Sequence, residues 1–364
     1  MKKTLIAIAA IAAMGAASAE VTLYGKLDVG VSSNTKDGTT GQGAQIGSSN
    51  YEGSRIGVKG SSEIASGIKG IFQLEGGLGA TDGSFSNFGR EAFLGLTGGF
   101  GTVSAGKIWT PYDSAFNDAL EYNGFSAMGG AFYGGAHGDN GTDGSGAAKN
   151  SIQYTTPTMS GLNAVIMYAP NADAAAATSA STSYALDAAT GLVVATTTPA
   201  KSATSATNYS GFGVNYANGP LSVNFASEKV LTKTHNSAAD AGLYTSAWIL
   251  AAGYNLGVAT VNVGFEGANA DVSSGVTQKD AGSSIGLSVP VSKAVTAAIG
   301  YATETTTQSG KSDGKTNSTG MQVVYAWNAA TAIYAGYRVT DTTAVDSTTS
   351  VKGTKFATGV RYNF

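Results

Sequence analysis

The last ten residues, 355–364 (KFATGVRYNF), decide the fold class. One set of alternate positions is apolar or aromatic apart from a single threonine, and the other set is charged, polar or small. A period of two residues is typical of a β-strand whose two faces meet different surroundings. In a soluble sandwich the apolar face would point to a core, whereas in a membrane barrel it points to lipid and the polar face lines water. The apolar set is Phe356, Thr358, Val360, Tyr362 and Phe364.

The same alternation recurs along the chain. On the face opposite each apolar set, most residues are small or polar. A wide lumen allows such residues, whereas a packed core does not. Tyr and Trp near the strand ends, together with Phe364, predict aromatic girdles at the membrane surfaces. The predicted girdle residues are Tyr24, Trp248, Tyr254, Tyr325, Trp327, Tyr362 and Phe364. The alternating outward sets include 248–256, 261–265, 285–291 and 321–327.

Short turns alternate with long polar stretches between these segments, and the two kinds of connection add up to about sixteen strands. Such barrels place short turns in the periplasm and long loops outside, and ~16–18 strands leave an aqueous channel. The sequence therefore predicts an all-β, antiparallel transmembrane barrel with a pore. Short turns are predicted near 64–67, 98–101, 157–161, 218–220, 255–257, 290–293 and 328–331. Long loops are predicted near 34–53, 79–89, 111–148, 171–208, 230–245, 269–280, 305–317 and 341–351.

The composition agrees with such a barrel and excludes several other classes. Charged residues make up 12% of the chain, about half the usual ~25%, and glycine is abundant at 51 of 364 residues. There is no cysteine, which excludes disulfides, thiol nucleophiles and thiolate metal sites. The net charge of −3 gives no basic footprint for nucleic acid. We expect no cofactor and no nucleic-acid partner.

The first nineteen residues have the pattern of a secretory signal peptide. Lys2 and Lys3 precede an uncharged run over 5–13, and Ala17 and Ala19 supply small residues for cleavage after Ala19. The alternative is a membrane anchor, but the apolar run is too short to cross ~30 Å of hydrocarbon as a helix. We therefore predict a signal peptide over 1–19 and a single barrel domain over 20–364.

The third long loop, 111–148, is unusually aromatic and also carries carboxylates. A loop in external water has little use for so many aromatic rings, whereas a loop folded into the barrel buries them against the wall. Its carboxylates, Asp118 and Glu121 among them, would then face the lumen. The alternative is a surface Ω-loop stabilised by its own aromatics. The rings belong to Tyr112, Phe116, Tyr122, Phe125, Phe132 and Tyr133.

Basic residues on the early strands are the predicted counterpart of this loop. Arg55 lies opposite in parity to Ile56 and Val58, and a charge facing lipid would cost ~2–4 kcal/mol at mid-membrane. A basic wall facing an acidic inward loop selects solutes by charge and pore diameter. The alternative for each cation is a solvated side chain without a selectivity role. The candidates are Lys26, Arg55, Lys59, Arg90, Lys107 and Lys149.

Several motifs, in their order and spacing, resemble the general porins of Gram-negative bacteria, particularly the β-proteobacterial type. The resemblance runs from the signal to the last residue. It implies a sixteen-stranded homotrimer with the third loop folded into the lumen, which lets small hydrophilic solutes and ions diffuse across the outer membrane. The motifs are 21–25 (VTLYG), 54–60 (SRIGVKG), 67–75 (GIKGIFQLE), 89–96 (GREAFLGL), 98–103 (GGFGTV) and 359–364 (GVRYNF).

The resemblance also assigns residues. Lys26, Arg55, Arg90 and Lys149 match the basic constriction positions of the family, and Asp118 and Glu121 match the acidic loop positions more loosely. Phe364 resembles the terminal signal read by the outer-membrane assembly machinery, and lipid and lipopolysaccharide are the implied surroundings. The chain lacks the Pro-Glu-Phe run common in the third loop of enteric relatives. The stretch 171–208 is also unusually long and rich in Ala and Thr.

Three other functions compete with this interpretation. A barrel enzyme such as a phospholipase or protease would need a catalytic constellation, but His137 and His235 lie in polar loop sequence without a nucleophile motif. An adhesin or structural barrel would need a plug or bulky inward residues. A substrate-specific channel, for example for sugars, would need a track of aromatics along the lumen. Conductance in planar bilayers separates these alternatives.

Overall fold

The computed structural model describes residues 20–36, 42–119, 125–131, 146–170, 181–186, 193–198, 208–232, 243–273 and 276–364. The predicted signal peptide, Glu121, His137 and His235 lie outside these residues. The described strands are β1 (Glu20–Lys36), β2 (Gln42–Ser48), β3 (Arg55–Ala65), β4 (Ile68–Gly77), β5 (Glu91–Gly98), β6 (Gly101–Trp109), β7 (Ala147–Thr155), β8 (Leu162–Ala169), β9 (Ser181–Leu186), β10 (Val193–Thr198), β11 (Asn208–Asn218), β12 (Leu221–Thr232), β13 (Leu243–Asn255), β14 (Thr260–Ser273), β15 (Val276–Pro290), β16 (Val295–Gln308), β17 (Gly314–Ala326), β18 (Thr331–Thr343) and β19 (Ser350–Asn363). The described helices are α1 (Pro111–Ala119) and α2 (Met128–Ala131).

All strand pairs are antiparallel, and the sheet closes on itself as a barrel. Among the described residues, seventeen strands form one sheet, and β9 and β10 form a separate pair. β1 closes the ring because it pairs with β19 on one side and with both β2 and β3 on the other. β2 and β3 thus share one position in the wall, which leaves sixteen strand positions. The predicted sixteen-stranded antiparallel barrel is confirmed.

The two faces of the strands differ as the alternation predicts. In β19, Val360 is 46% exposed on the outer face while Ala357 on the inner face is fully buried. In β13, Leu250 is exposed outside and Ile249 is buried inside. Outward aromatics such as Trp327 and Tyr362 are exposed near the strand ends, in agreement with the predicted girdles.

One predicted girdle residue is wrong. Tyr24 shares the inward parity of Lys26, and its hydroxyl donates to Glu75 Oε2 at 2.9 Å. The ammonium group of Lys59 lies 5.2 Å from the centre of its ring. Tyr24 therefore lines the lumen, and its aromatic character suggested the lipid surface only because aromatic rings suit both places.

The connections follow the predicted alternation at all seven short turns. The first joins β3 to β4 through Gly67, whose φ of 72° suits glycine. Several predicted long loops are wrong in extent, and the clearest is 269–280, which continues the ladder of β14 and β15 with Ala270 opposite Gln278. The ladders also run into 305–317 and 341–351, where Thr305 lies opposite Lys315 and Thr342 opposite Val351. The predicted loop 34–53 contains β2, which pairs with β1. Polar residues on both faces resemble a loop in sequence, yet they also suit strands that extend beyond the lipid.

The described parts of the third loop, 111–119 and 125–131, pack against inward-facing residues of the wall. Thr110 Oγ1 accepts from the Asp113 backbone N at 3.1 Å, and Pro111 occupies the first helical position of α1, where proline is favoured. α1 packs against β11, β12 and β13. Its apolar residues join a cluster that includes the inward-facing Ile249 of β13, so the loop lies on the inner wall. The buried loop residues in this cluster are Tyr112, Ala115, Phe116, Ala127, Met128 and Ala131.

Candidate functional site

Three of the predicted wall cations lie close together on the inner surface. Lys26 of β1 and Arg55 at the start of β3 are directly opposite each other in the antiparallel register. Arg90 immediately precedes β5, and its guanidinium carbon lies 5.1 Å from the centre of the Trp109 ring. Their side chains are 17–26% exposed, so each is partly packed and partly open to the lumen.

Glu75 of β4 connects two of these cations. Its Oε1 accepts from Arg90 Nε at 2.6 Å, and its Oε2 lies 3.7 Å from Arg55 Nε and accepts from Tyr24. The two guanidinium groups repel each other, and the negative charge of the Glu75 carboxylate between them offsets this repulsion. Glu75 therefore allows the two arginines to share one part of the wall.

Glu91 of β5 is a second carboxylate beside Glu75 in this network. It is directly opposite Glu75 in the register, and Gln73 Nε2 donates to its Oε2 at 2.5 Å. Glu75 and Glu91 were not among the predicted site residues. Their signal was available, because both follow the inward parity of Gln73 in strands whose other face is apolar.

Lys26 belongs to a second ion-pair group on β1 and β19. It forms an ion pair with Glu52, and Arg361 Nη1 donates to Glu52 Oε1 at 2.5 Å. Glu52 precedes β3 and is not part of any strand. The wall network of described residues thus holds four cations, Lys26, Arg55, Arg90 and Arg361, and three carboxylates, Glu52, Glu75 and Glu91.

α1 is anchored to the opposite wall through a buried hydrogen bond. The Tyr112 hydroxyl donates to Glu266 Oε2 of β14 at 2.7 Å. Burial and the nearby carboxylate keep the pKa of Tyr112 well above its ordinary value, so it remains a donor. The wall behind α1 is acidic, since four inward carboxylates are buried there. These are Glu228, Glu266, Asp280 and Glu304.

The second described part of the loop, 125–131, rests on β18 and β19. The ring of Phe125 is fully buried, 6.3 Å from the Tyr334 ring and 5.3 Å from the Lys355 ammonium group. Arg338 Nη1 donates to the backbone oxygen of Ser126 at 3.4 Å. The loop therefore has one contact area on β11–β14 and another on β15–β19.

Asp118 is exposed at the C-terminal end of α1, and partial desolvation still raises its pKa. The strands beneath α1 are about half the ring away from β1 and β3, because β12 is seven strand positions from β3 in the sixteen-position wall. Asp118 and the basic network therefore lie on opposite sides of the barrel. Glu121, its predicted partner, is outside the described residues.

Lys149, the fourth basic residue predicted for the constriction, belongs to β7, four strand positions from β3. It is exposed near the start of β7, next to Asn150, which has a φ of 54°. The register between β6 and β7 shifts at this place, so the two-residue period cannot be carried through it. Its role in the constriction stays a prediction from the family resemblance.

The described residues contain no group of three or more His, Cys, Asp and Glu side chains that could bind a metal ion. None of the helices among them is long and apolar enough to span a bilayer.

Comparison with known proteins decides the family. The family model for the Gram-negative porin matches residues 4–345. The chain belongs to the Gram-negative porin family. This porin is also 34% identical over 270 residues to outer membrane porin protein 32 of Delftia acidovorans, covering 72% of this chain and 68% of that protein. It is 35% identical over 180 residues to the major outer membrane protein P.IB of Neisseria gonorrhoeae, covering 47% of this chain and 49% of that protein.

Solved structures confirm the fold of this porin. An anion-selective porin from Comamonas acidovorans matches with a TM-score of 0.73 at 24% identity, over 95% of this chain and 100% of that one. A trimeric form of OmpT from Vibrio cholerae matches with a TM-score of 0.66 at 16% identity, over 95% and 99% of the two chains. The protein is therefore an outer-membrane channel of Gram-negative bacteria and not an enzyme.

Proposed function

We propose that this porin is a passive diffusion channel for small hydrophilic solutes and ions, and that it selects them between the third loop and the basic wall. The observation that carries the proposal is the position of α1. It lies on the inner wall and presents Asp118 about half the ring away from Lys26, Arg55 and Arg90. Opposed charges across a narrow aqueous opening select by both charge and size.

The balance of the wall network favours a weak preference for anions. Within this network, four cations and three carboxylates leave one net positive charge on the side of the wall that faces α1. The partial exposure of the cations leaves them able to act on ions in the lumen. We therefore expect a parent reversal potential slightly on the anion side.

The mature chain from Glu20 is proposed to work as a homotrimer, after removal of residues 1–19 and insertion by the outer-membrane assembly machinery. Lipid and lipopolysaccharide would surround its outer face. Support for the lipid contact comes from the exposed apolar residues of the outward parity, such as Leu94, Ile285 and Val360. Chemical cross-linking of the folded protein tests the trimer.

Selectivity of single channels in planar bilayers tests the constriction. Arg55→Ala with Arg90→Ala should shift the reversal potential toward cations, while Asp118→Asn with Glu121→Gln should shift it toward anions. Both shifts should shrink in 1 M salt, since the Debye length falls from ~10 Å at 0.1 M to ~3 Å at 1 M. A matched control is Lys69→Ala with Lys293→Ala, two exposed cations at the short-turn end of the barrel.

If neither site variant departs from the parent at low salt, these residues do not form the constriction. A parent protein that inserts but does not conduct would contradict the channel itself. A shift in the control as large as in the Arg55 and Arg90 variant would mean that only the total charge matters.

A further inference from the structure

The second strand position of the barrel is interrupted. β2 ends at Ser48 opposite Val29, and β3 begins at Arg55 opposite Lys26, so β1 pairs with both almost without a gap. The six residues 49–54 therefore have no room in the wall. Ser49 starts this excursion with a φ of 63°, which turns the chain out of the strand. We call residues 49–54 the inward segment.

Contacts of its central residue show that the segment points into the barrel. The ring of Tyr51 stacks on Tyr334 of β18, with centroids 4.9 Å apart and planes at 21°. The guanidinium carbon of Arg361 lies 5.6 Å from the centre of the Tyr51 ring. Both partners have the inward parity, and Tyr51 is only 8% exposed. The segment thus occupies lumen space in front of β18 and β19.

A single buried carboxylate fixes the backbone of the segment. Asp28 Oδ2 accepts from the backbone N of Tyr51 at 2.8 Å and of Glu52 at 2.6 Å, while its Oδ1 accepts from the Tyr334 hydroxyl at 2.6 Å. Asp28 is fully buried. Hydrogen bonds to a charged acceptor are stronger and shorter than neutral ones, so this arrangement holds the segment in one position.

The fixed backbone delivers Glu52 to two cations of the wall. Its Oε2 pairs with Lys26, and its Oε1 accepts from Arg361 Nη1. The side chains of Glu52, Lys26 and Arg361 are 13%, 17% and 21% exposed, so the group has contact with the lumen. A carboxylate at this place reduces the attraction that both cations exert on passing anions.

We propose that the inward segment is a second constriction element beside the third loop, and that Glu52 on it is a specificity-determining residue that limits the anion preference of the pore. The inference rests on the proposed channel function. Its source is the interrupted strand, which places a carboxylate in front of β1 and β19 that no continuous strand could place there.

Glu52→Gln removes the charge and preserves the shape. A unit charge about 7 Å from an ion in water changes the ion's energy by about RT, and screening at 0.1 M, where the Debye length is ~10 Å, roughly halves this change. Anions and cations shift in opposite directions, so the ratio of their local concentrations changes about threefold. We expect the anion-to-cation permeability ratio to rise about threefold in 0.1 M salt and to return toward the parent value in 1 M salt. Glu52→Asp keeps the charge and should keep the parent ratio.

Glu63→Gln is the matched control, because Glu63 is an exposed inward-parity glutamate at the short-turn end of β3. A shift there as large as at Glu52 would overturn the proposal. Unchanged selectivity in folded, conducting Glu52→Gln channels would also overturn it and would leave Glu52 as a structural ion pair. Parent channels are measured first, so a failure of conduction itself is recognised separately.

A cysteine variant gives an independent measurement, since the chain has no cysteine of its own. Glu52→Cys should react with water-soluble methanethiosulfonates added to the open channel. A sulfonate-bearing reagent should restore the parent ratio, and a trimethylammonium reagent should raise the anion preference further. No response to either reagent would overturn the proposal, as would the failure of all charge-removing variants at position 52 to fold.

Discussion

Gly336 of β18 lies under the ring of Phe125, and this contact gives a sharp test of how the third loop is held. A Cβ atom at Gly336 would overlap that ring, 2.5 Å from its Cε2 and nearer still to Cδ2 and Cγ. The ring has little space to move, because Phe125 is fully buried between Tyr334 and Lys355. Gly336→Ala should therefore displace the 125–131 part of the loop.

The magnitudes follow from packing. Overpacking a filled site by one methyl group costs about 1–3 kcal/mol, and Phe125→Ala should cost about 3–5 kcal/mol through lost contacts and a cavity. In the double variant the clash is absent, so it should be about as stable as Phe125→Ala alone. The two changes should then deviate from additivity by about 1–3 kcal/mol in the favourable direction.

Urea titrations of the barrel folded in lipid vesicles, followed by tryptophan fluorescence, measure the free energies. Open-channel current noise reports on the loop directly and should rise in both single variants. Gly353→Ala on the neighbouring strand is the control, because its added Cβ would meet nothing nearer than 3.7 Å. It also corrects for the ~0.5–1 kcal/mol by which alanine is favoured over glycine in regular structure.

Additive free energies, within about 0.5 kcal/mol, would refute this account of the contact. So would a Gly336→Ala channel with the stability and noise of the Gly353→Ala control. Either result would mean that the third loop is held in the lumen mainly by α1 and its hydrogen bond from Tyr112 to Glu266.

Two further predictions concern the outer face and the end of the chain. Val360→Arg should weaken folding into lipid by about 2–4 kcal/mol if position 360 lies near the midplane. Arg361→Ala should cause a smaller loss of stability. Equal losses in vesicle-folding titrations would contradict the face assignment. Deleting Phe364 should lower the amount of inserted barrel without affecting export, because its backbone N and O pair with Gly25 at 3.1 and 2.9 Å and close β19 onto β1. Normal levels of folded protein in outer-membrane fractions would contradict this.

The strand faces were predictable from the sequence because the lipid imposes one rule on every strand. Val360 and Arg361 differ in surroundings only through parity, and the same rule correctly places Arg55 inside. Outside the lipid the rule disappears, which is why the paired ends of β14 and β15 resembled a loop. The girdle prediction for Tyr24 was wrong for a related reason, since an aromatic ring with a hydroxyl suits both the membrane surface and a polar lumen.

Contacts across the lumen were not predictable, because parity says which residues face inward but not which of them meet. Asp28 and Tyr334 are 306 residues apart and meet only because β1 closes against β19, with β18 behind it. Glu52 was hidden further, since it lies in the predicted loop 34–53 and nothing in its neighbourhood shows that 49–54 turns inward. Glu75, in contrast, lies on a regular strand, and its inward parity could have been used.

The wall carboxylates change how selectivity should be understood in this porin. Four cations on one side of the wall would repel one another, and Glu52 and Glu75, which form ion pairs with them, offset this repulsion. The carboxylates of the network leave it with only a small net charge, so the ion preference depends on the difference between nearly equal numbers of positive and negative groups. A single substitution in this network, such as Glu52→Gln, therefore changes its net charge by as much as the whole surplus. We expect selectivity to vary more readily among variants of this wall than the fold does, because the lipid-facing pattern that specifies the barrel is untouched by such changes.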